Sequence, residues 1–191
     1  NELRKVSVPY TFPGDEVEAR VFRKRHKKWE AEVVQFLKQS ENRANPFCPH
    51  FRVCGGCLTQ QIPYDEQLAL KKQKVEKLLD RSVLPILPSP LTIGYRNKME
   101  FSFSQNKAGE KFLGLYGRKR VQNISVCPIS PMWFSDALKS VRAWWESSSL
   151  TAFNPRSGLG ALRTITFREG NNSKMAILTV SGDPQYALTR E

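Results

Sequence analysis

The sequence predicts an α+β protein in which antiparallel β-structure predominates. Three observations support this fold class. Apolar and polar residues alternate early in the chain, two stretches have helical periodicity, and strand-like segments dominate from residue 93 onward. Strands and helices do not alternate as they do in a parallel α/β sheet. At 191 residues the chain is long enough for two small domains, and we expect them over residues 1–45 and 46–191.

The composition indicates a folded protein with an anionic partner. Thirty Lys and Arg against eighteen Asp and Glu give a formal net charge of +12, which favours RNA or DNA over an acidic protein. A hydrophobic fraction of 40% is enough for a core and excludes disorder throughout the chain. No apolar run approaches the ~20 residues that span a bilayer, and the N-terminus lacks a signal-peptide pattern. We therefore expect a cytoplasmic protein, and a monomer.

Residues 6–38 are predicted to form a small β-unit. The turn signal Pro13-Gly14-Asp15 precedes a first strand, and the run from Arg20 to Lys28 is expected to be an exposed basic tip. The alternating apolar residues of the two strands are Val17, Ala19 and Val21, then Trp29, Ala31 and Val33. Such a unit is typical of a small OB-like RNA-binding barrel. The alternative is a plain hairpin with a solvated, charged end.

Two helices and five further strands are predicted after this unit. The first helix spans residues 65–80, with Asp65 as its N-cap and an apolar face of Leu68, Val75 and Leu79. The second has Ser135 as a possible cap and an apolar face of Phe134, Leu138, Val141 and Trp145. The strands are expected over residues 95–104, 112–116, 121–126, 161–168 and 175–181. Phe101, Phe103, Trp144 and Trp145 are predicted to be core residues because they fall on periodic positions.

Four cysteines, Cys48, Cys54, Cys57 and Cys127, are the strongest chemical signal in the sequence. A disulfide pair is disfavoured because nothing suggests secretion. A thioredoxin-like pair at Cys54 and Cys57 would leave two cysteines over. The remaining interpretation is a four-thiolate site for Zn²⁺ or an iron–sulfur cluster, and the spacing favours the cluster modestly. Gly55 and Gly56 would let backbone N–H groups approach the sulfur atoms.

Several motifs in order resemble one known family. The segment Cys48-Pro49-His50-Phe51-Arg52-Val53-Cys54-Gly55-Gly56-Cys57, followed by Gln60-Gln61, Tyr64, Gln67 and Lys71, resembles the cluster segment of RNA (uracil-5)-methyltransferases. Three later segments resemble the family's central domain: Tyr95 to Ser102, Leu113-Gly114-Leu115-Tyr116 and Val126-Cys127-Pro128-Ile129. Residues 6–38 resemble part of its N-terminal TRAM domain, an RNA-binding β-barrel. The resemblance covers most of the chain.

The resemblance implies the metal centre and the reaction of the whole enzyme. In the family the four matching cysteines hold a [4Fe–4S] cluster, and Lys98 matches a basic position that approaches the flipped-out base. Members also carry a C-terminal domain that binds S-adenosylmethionine and supplies a nucleophilic cysteine and a general-base glutamate. This chain has no fifth cysteine and no Gly-rich turn after a strand, so we expect no catalytic residue in it and no methyl transfer by it alone. The helix over residues 65–80 is expected to pack on that further domain.

The RNA-binding residues are expected among exposed basic positions. The candidates are Arg23, Lys24, Arg25, Lys27, Lys28, Arg96, Lys98, Arg118, Lys119 and Arg120. His26 and His50 have no catalytic companions in the sequence and are interpreted as incidental. The leading hypothesis is the RNA-recognition and [4Fe–4S] part of an S-adenosylmethionine-dependent uridine-C5 methyltransferase of rRNA or tRNA. The alternative is a non-enzymatic RNA-binding adapter with a four-cysteine zinc site.

Overall fold

The computed structural model describes residues 5–26, 28–118 and 120–182. The chain divides into two compact units: residues 1–47 with 57–88 form the first, and residues 48–56 with 89–191 form the second. The α+β class is confirmed, because the described residues form two sheets and two helices. The compact units add residues 57–88 to the N-terminal segment, and the division into functional domains at residue 45 stays a prediction. No helix in the described part of the chain is long and apolar enough to cross a bilayer.

The first unit contains a three-stranded sheet of order β1-β3-β2, with β1 at Val6–Ser7, β2 at Glu16–Arg25 and β3 at Lys28–Lys38. β1 pairs parallel to β3, and β2 pairs antiparallel to it. The predicted basic tip over residues 20–28 is mostly strand, since only His26, with a φ of 47°, and the undescribed Lys27 separate β2 from β3. Two ion pairs across the strands, Arg20 with Glu32 and Arg23 with Glu30, explain why the pairing continues into the basic run. A closed OB-like barrel stays a prediction.

A buried ion pair fixes the turn before β2. The Asp15 carboxylate is 1% exposed, pairs with Arg43, and accepts hydrogen bonds from the backbone N–H groups of Phe12 at 2.7 Å and Ser40 at 2.9 Å. The Arg43 guanidinium also lies over the Phe36 ring, 5.0 Å from its centroid. The turn predicted at Pro13-Gly14-Asp15 is present, with the Asp15 N–H donating to the Phe12 carbonyl at 3.0 Å. One charged pair therefore ties the turn to the residues that follow β3.

The first helix, α1, spans Tyr64–Leu79, one residue earlier at each end than predicted, and its N-cap is Pro63 rather than Asp65. Asp65 lies in the first turn, where its carboxylate interacts favourably with the helix dipole but caps no backbone N–H group. The Gln67 side chain instead donates to the carbonyls of Thr59 at 3.1 Å and Ile62 at 2.9 Å. α1 lies wholly within the described ranges and buries none of its side chains.

The second unit is built on a five-stranded antiparallel sheet of order β6-β5-β4-β7-β8. Its strands are β4 at Lys98–Gln105, β5 at Lys111–Tyr116, β6 at Val121–Asn123, β7 at Leu162–Glu169 and β8 at Lys174–Val180. All five predicted strands are thus present, with β4 beginning three residues later than expected and β6 ending three residues earlier. β7 and β8 pair antiparallel and are joined by residues 170–173.

Helix α2, at Met132–Ser147, forms the core of the second unit with one face of this sheet. Phe134, Leu138 and Trp145 are buried as their spacing predicts, and Trp145 meets Phe103 edge-on at 5.0 Å between ring centroids. Two details of the prediction are wrong. The helix begins after Pro131, which leaves Ser135 within the first turns instead of capping them, and Trp144 is 41% exposed. Trp144 precedes Trp145 by one position, about 100° around the helix, so both rings cannot face the core.

Candidate nucleic-acid interface and cysteine loop

The loop 48–56, called here the cysteine loop, is a series of tight turns in the second unit. The N–H of Cys54 donates to the His50 carbonyl at 2.8 Å, and the N–H of Gly56 donates to the Cys54 sulfur at 3.3 Å. The second bond is the backbone-to-sulfur contact expected from the two glycines. Gly55 lets the loop backbone approach β5 closely, because a Cβ there would lie 2.8 Å from the Tyr116 carbonyl oxygen. Positive φ occurs instead at Arg52, with a φ of 71°.

His50 links the cysteine loop to the segment that carries Cys127. Its Nε2 atom lies 2.9 Å from the Ser125 hydroxyl and accepts a hydrogen bond from the Ser125 N–H at 3.1 Å. Two residues further on, the Cys127 carbonyl accepts hydrogen bonds from the backbone N–H and the hydroxyl of Ser130 at 3.0 and 2.9 Å. The interpretation of His50 as incidental is therefore wrong. No sequence signal could have paired His50 with Ser125, because 75 positions separate them.

The electrostatic surroundings of His50 favour the neutral ring that this bond needs. Burial, and secondly the positive charge of Arg142, lower the pKa of His50 from its ordinary value. A neutral imidazole with its proton on Nδ1 can accept the Ser125 N–H, whereas an imidazolium cannot. Arg142 itself donates to the carbonyls of Leu113 at 2.8 Å and Ile124 at 2.9 Å. The segment before Cys127 is therefore held by α2 at Ile124 and by the cysteine loop at Ser125.

The four cysteines are thiols of intermediate burial. Cys54 and Cys127 both pack against the hydrophobic core of the second unit, and Cys57 follows Gly56 directly in the chain. Soft, partly buried sulfur donors on tied loops suit Zn²⁺ or an iron–sulfur cluster chemically. As the described side chains stand, however, they form no group of three or more His, Cys, Asp or Glu residues positioned to hold a metal ion.

The first set of basic candidates lies at the end of the β2–β3 hairpin. Arg23 is paired with Glu30 at 2.6 Å, and the Lys24 ammonium lies 5.4 Å from the Trp29 ring centroid. Arg25 and Lys28 are exposed and lie directly opposite each other in the pairing of the two strands. Lys27 lies outside the described residues. Arg25 and Lys28 thus place two positive charges at the strand ends. Because no acidic residue occurs between Glu18 and Glu30, this end of the hairpin is basic.

The second set lies in the turn that joins β5 to β6. The N–H of Gly117 donates to the Arg120 carbonyl at 2.9 Å, which closes a four-residue turn with Arg118 and Arg120 exposed. The Arg120 guanidinium lies over Phe112, 5.8 Å from the ring centroid. Lys119, the third candidate of this set, lies outside the described residues.

The third set lies where β4 pairs with β7 and includes a residue that the sequence analysis missed. Lys98 is exposed and directly opposite the exposed Arg168, while Arg96, two residues earlier, is also exposed. Like charges in directly opposed positions destabilise a sheet, so the pair favours an anion above this part of it. The alternation within β7 could have placed Arg168 on the solvent side, but its position opposite Lys98 depends on the strand register.

Comparison with known proteins gives consistent matches over nearly the whole chain. A protein of Protochlamydia amoebophila named as an uncharacterized RNA methyltransferase is 37% identical over 97% of this chain and 44% of its own length. The tRNA (uracil(54)-C(5))-methyltransferase of Pyrococcus furiosus is 33% identical over 87% of this chain and 40% of its own length. No protein-family model matches the chain.

A solved structure matches both in sequence and in fold. The Pyrococcus abyssi tRNA (uracil-54, C5)-methyltransferase, crystallised with S-adenosyl-L-homocysteine, aligns with a TM-score of 0.70 and 25% identity, covering 94% of this chain and 44% of that one. The matched proteins are thus RNA methyltransferases by class. Within that class, the chain belongs to the RNA (uracil-5)-methyltransferase family. It spans less than half the length of the relatives it matches.

Proposed function

We propose that this chain is the RNA-recognition part of an S-adenosylmethionine-dependent methyltransferase that modifies C5 of a uridine in rRNA or tRNA. The observation that carries the proposal is the match of 97% of the chain to an RNA methyltransferase. The exposed Lys98–Arg168 pair adds a physical reason, because two directly opposed cations on one sheet face attract a phosphate backbone. The adapter with a zinc site is not favoured, since the matched relatives are methyltransferases.

Binding RNA must supply both affinity for the strand and the free energy needed to flip the target uridine out of its stack. Methylating C5 requires the uridine to leave its stack, which costs a few kcal/mol. In our proposal basic residues of the hairpin end, of the β5–β6 turn and of the β4–β7 pairing contact phosphates and offset this cost. These are Arg23, Lys24, Arg25, Lys27, Lys28, Arg118, Lys119, Arg120, Arg96 and Lys98, together with Arg168. Lys98 offers a single charge rather than the bidentate fork of an arginine.

We propose that Cys48, Cys54, Cys57 and Cys127 hold a [4Fe–4S] cluster. Support comes from the spacing of the four cysteines and from the bond between His50 and Ser125, which ties the loop of Cys48 and Cys54 to the segment of Cys127. When bound, the cluster would supply a covalent cross-link between these segments. The Gly56 N–H donates to the Cys54 sulfur at 3.3 Å, a contact that would stabilise a metal-bound thiolate.

Helix α1 is proposed to pack against the part of the enzyme that binds S-adenosylmethionine. Leu78 and Leu79 are 74% and 59% exposed, and the following Leu84 and Leu87 are 86% and 90% exposed. Monomeric soluble proteins rarely leave a large contiguous apolar surface uncovered. The relatives are more than twice as long as this chain, so they contain a region that could cover these residues.

RNA binding by the 191-residue chain is the first test. Fluorescence anisotropy with a uridine-containing single-stranded RNA, at several salt concentrations, gives the affinity and its salt dependence. We expect Lys98→Gln and Arg168→Gln each to weaken binding and to reduce the slope of log K against log salt by about 1. The matched control is Arg163→Gln, because Arg163 lies on the same strand but stacks on Phe153, 4.4 Å from its ring centroid. Absence of RNA binding, or equal slopes in all four proteins, would contradict the proposal.

The metal proposal is tested on anaerobically purified protein. We expect iron and acid-labile sulfide with a brown charge-transfer band, and their loss in Cys127→Ser. Zinc without sulfide would contradict the cluster assignment and would favour the RNA-binding adapter with a four-cysteine zinc site.

Catalysis is tested with radiolabelled S-adenosylmethionine and RNA. The 191-residue chain should transfer no methyl group, because the proposal assigns all four cysteines to the cluster and leaves none to attack C6 of uracil. Incorporation of label into RNA by this chain would show that the assignment is wrong.

A further inference from the structure

Tyr116 combines an exposed ring with a firmly held backbone. It is the last residue of β5, and 65% of its surface is exposed. Its carbonyl accepts the N–H of Gly55 at 2.9 Å, and its pairing with Val121 of β6 continues into the tight turn at Gly117. An aromatic side chain on a fixed backbone loses little conformational freedom when a ligand packs on it.

The two glycines around Tyr116 show how closely the chain packs there. A Cβ at Gly55 would lie 2.8 Å from the Tyr116 carbonyl oxygen, and a Cβ at Gly117 would lie 2.6 Å from the Val53 carbonyl oxygen. Real Cβ atoms essentially never approach that closely, so the cysteine loop and the end of β5 meet backbone to backbone. The position of the Tyr116 backbone is therefore set by the same loop that carries Cys48 and Cys54.

The surroundings of the ring suit a planar, negatively charged ligand. Side chains alternate along β5, so Phe112 and Tyr116 share a sheet face, and the space at Gly114 between them is filled by residues 122–124, since a Cβ there would lie 2.0 Å from the Gln122 carbonyl oxygen. Arg118 and Arg120 follow in the adjoining turn, and both are exposed. No Asp or Glu occurs from residue 111 to 135, nor in the cysteine loop. A nucleobase with its attached phosphates has the required combination of a flat apolar face and negative charge.

We propose that Tyr116 is a stacking platform for one unpaired base of the RNA, held in position by Gly55 of the cysteine loop. The inference rests on the proposed RNA-binding function and adds to it a residue, a ligand class and a mode of contact. Tyr116 supplies a salt-independent contribution through its ring, whereas Arg118 and Arg120 supply the salt-dependent contribution through phosphates. Loss of the cysteine loop's conformation would displace the Tyr116 backbone and weaken this contact.

The test compares Tyr116→Ala, Tyr116→Phe and Arg118→Gln with the wild-type chain in the anisotropy assay. We expect Tyr116→Ala to weaken binding about 5- to 150-fold with an unchanged salt slope, and Tyr116→Phe to bind within about 3-fold of wild type. Arg118→Gln should instead reduce the slope by about 1. Met132→Ala is the control, because Met132 is an exposed apolar side chain, 69% exposed, outside the proposed surface.

A second measurement detects the contact directly. RNA containing 5-iodouridine, irradiated in the complex, should cross-link to the peptide that contains Tyr116, as identified by mass spectrometry. If wild type binds RNA while Tyr116→Ala binds equally well and no cross-link forms there, the stacking proposal is overturned and the RNA-binding function stands. If wild type does not bind RNA, the proposed function fails and this inference fails with it.

Discussion

The two compact units of this chain are stabilised by different interactions. In the first unit, nine of the ten residues of β2 are exposed, and the turn before it is fixed by the buried Asp15–Arg43 pair. In the second unit, α2 and the five-stranded sheet enclose an apolar core that includes Phe101, Phe134 and Trp145. The first unit therefore depends on a few polar contacts, whereas the second depends on the apolar area that it buries.

The largest loss of stability is expected from a substitution in the aromatic core of the second unit. Phe134 is 0% exposed and packs on Trp133 and Phe167, with ring centroids 4.5 and 5.8 Å away. Phe134→Ala should lower the free energy of unfolding of this unit by about 3–5 kcal/mol, through lost burial and the cavity left behind. Chemical denaturation followed by tryptophan fluorescence measures the change, with Met132→Ala as the exposed control. A loss below about 1 kcal/mol would mean that the core tolerates a large cavity.

A smaller loss of stability is expected when the buried Asp15–Arg43 ion pair of the first unit is broken. Asp15→Ala leaves the Arg43 guanidinium, whose side chain is 9% exposed, without its carboxylate partner. We expect a loss of about 3 kcal/mol, and partial recovery in the double variant Asp15→Ala with Arg43→Met, because the second change removes the unpaired charge. Denaturation of both variants measures this. A double variant no more stable than the single one would show that the carboxylate's bonds to Phe12 and Ser40 matter more than the ion pair.

The hydrogen bond between His50 of the cysteine loop and Ser125 should contribute less to stability than the aromatic core or the Asp15–Arg43 pair. His50→Ala removes the acceptor of the Ser125 N–H and should lower the free energy of unfolding by about 1–2 kcal/mol. It should also lower the amount of metal that the four cysteines retain during purification. Val53→Ala is the control, since Val53 lies in the same loop and is 51% exposed. Equal stability and equal metal content in both variants would assign His50 no positioning role.

The smallest effect is expected on α1. Leu78 is 74% exposed, so Leu78→Ala should change the free energy of unfolding of the 191-residue chain by less than about 0.5 kcal/mol. In a longer form of the protein the same change should cost more, because the proposed packing on the further domain would bury the side chain. Thermal denaturation of both forms distinguishes these cases. A large loss in the 191-residue chain would show that the Leu78 side chain already contributes to a packed core.

Local signals identified the secondary structure because periodicity is a local property. Both helices and all five strands after residue 93 follow from the spacing of apolar residues. The errors fell at the helix N-caps, which are Pro63 and Pro131 rather than Asp65 and Ser135, at the exposed Trp144, and at the basic hairpin. There the pairs Arg20–Glu32 and Arg23–Glu30 carry the strands through a run that looks like a loop.

The sequence by itself determined the family, the α+β class, the four cysteines and the basic segments, because motif spacing, periodicity and charge can be read along the chain. The tertiary structure alone decided which distant residues meet. It placed His50 against Ser125, Arg168 opposite Lys98 and Gly55 against Tyr116. The physical reason is that register and loop closure are set by the packing of whole elements, and residues far apart in sequence carry no local record of that packing.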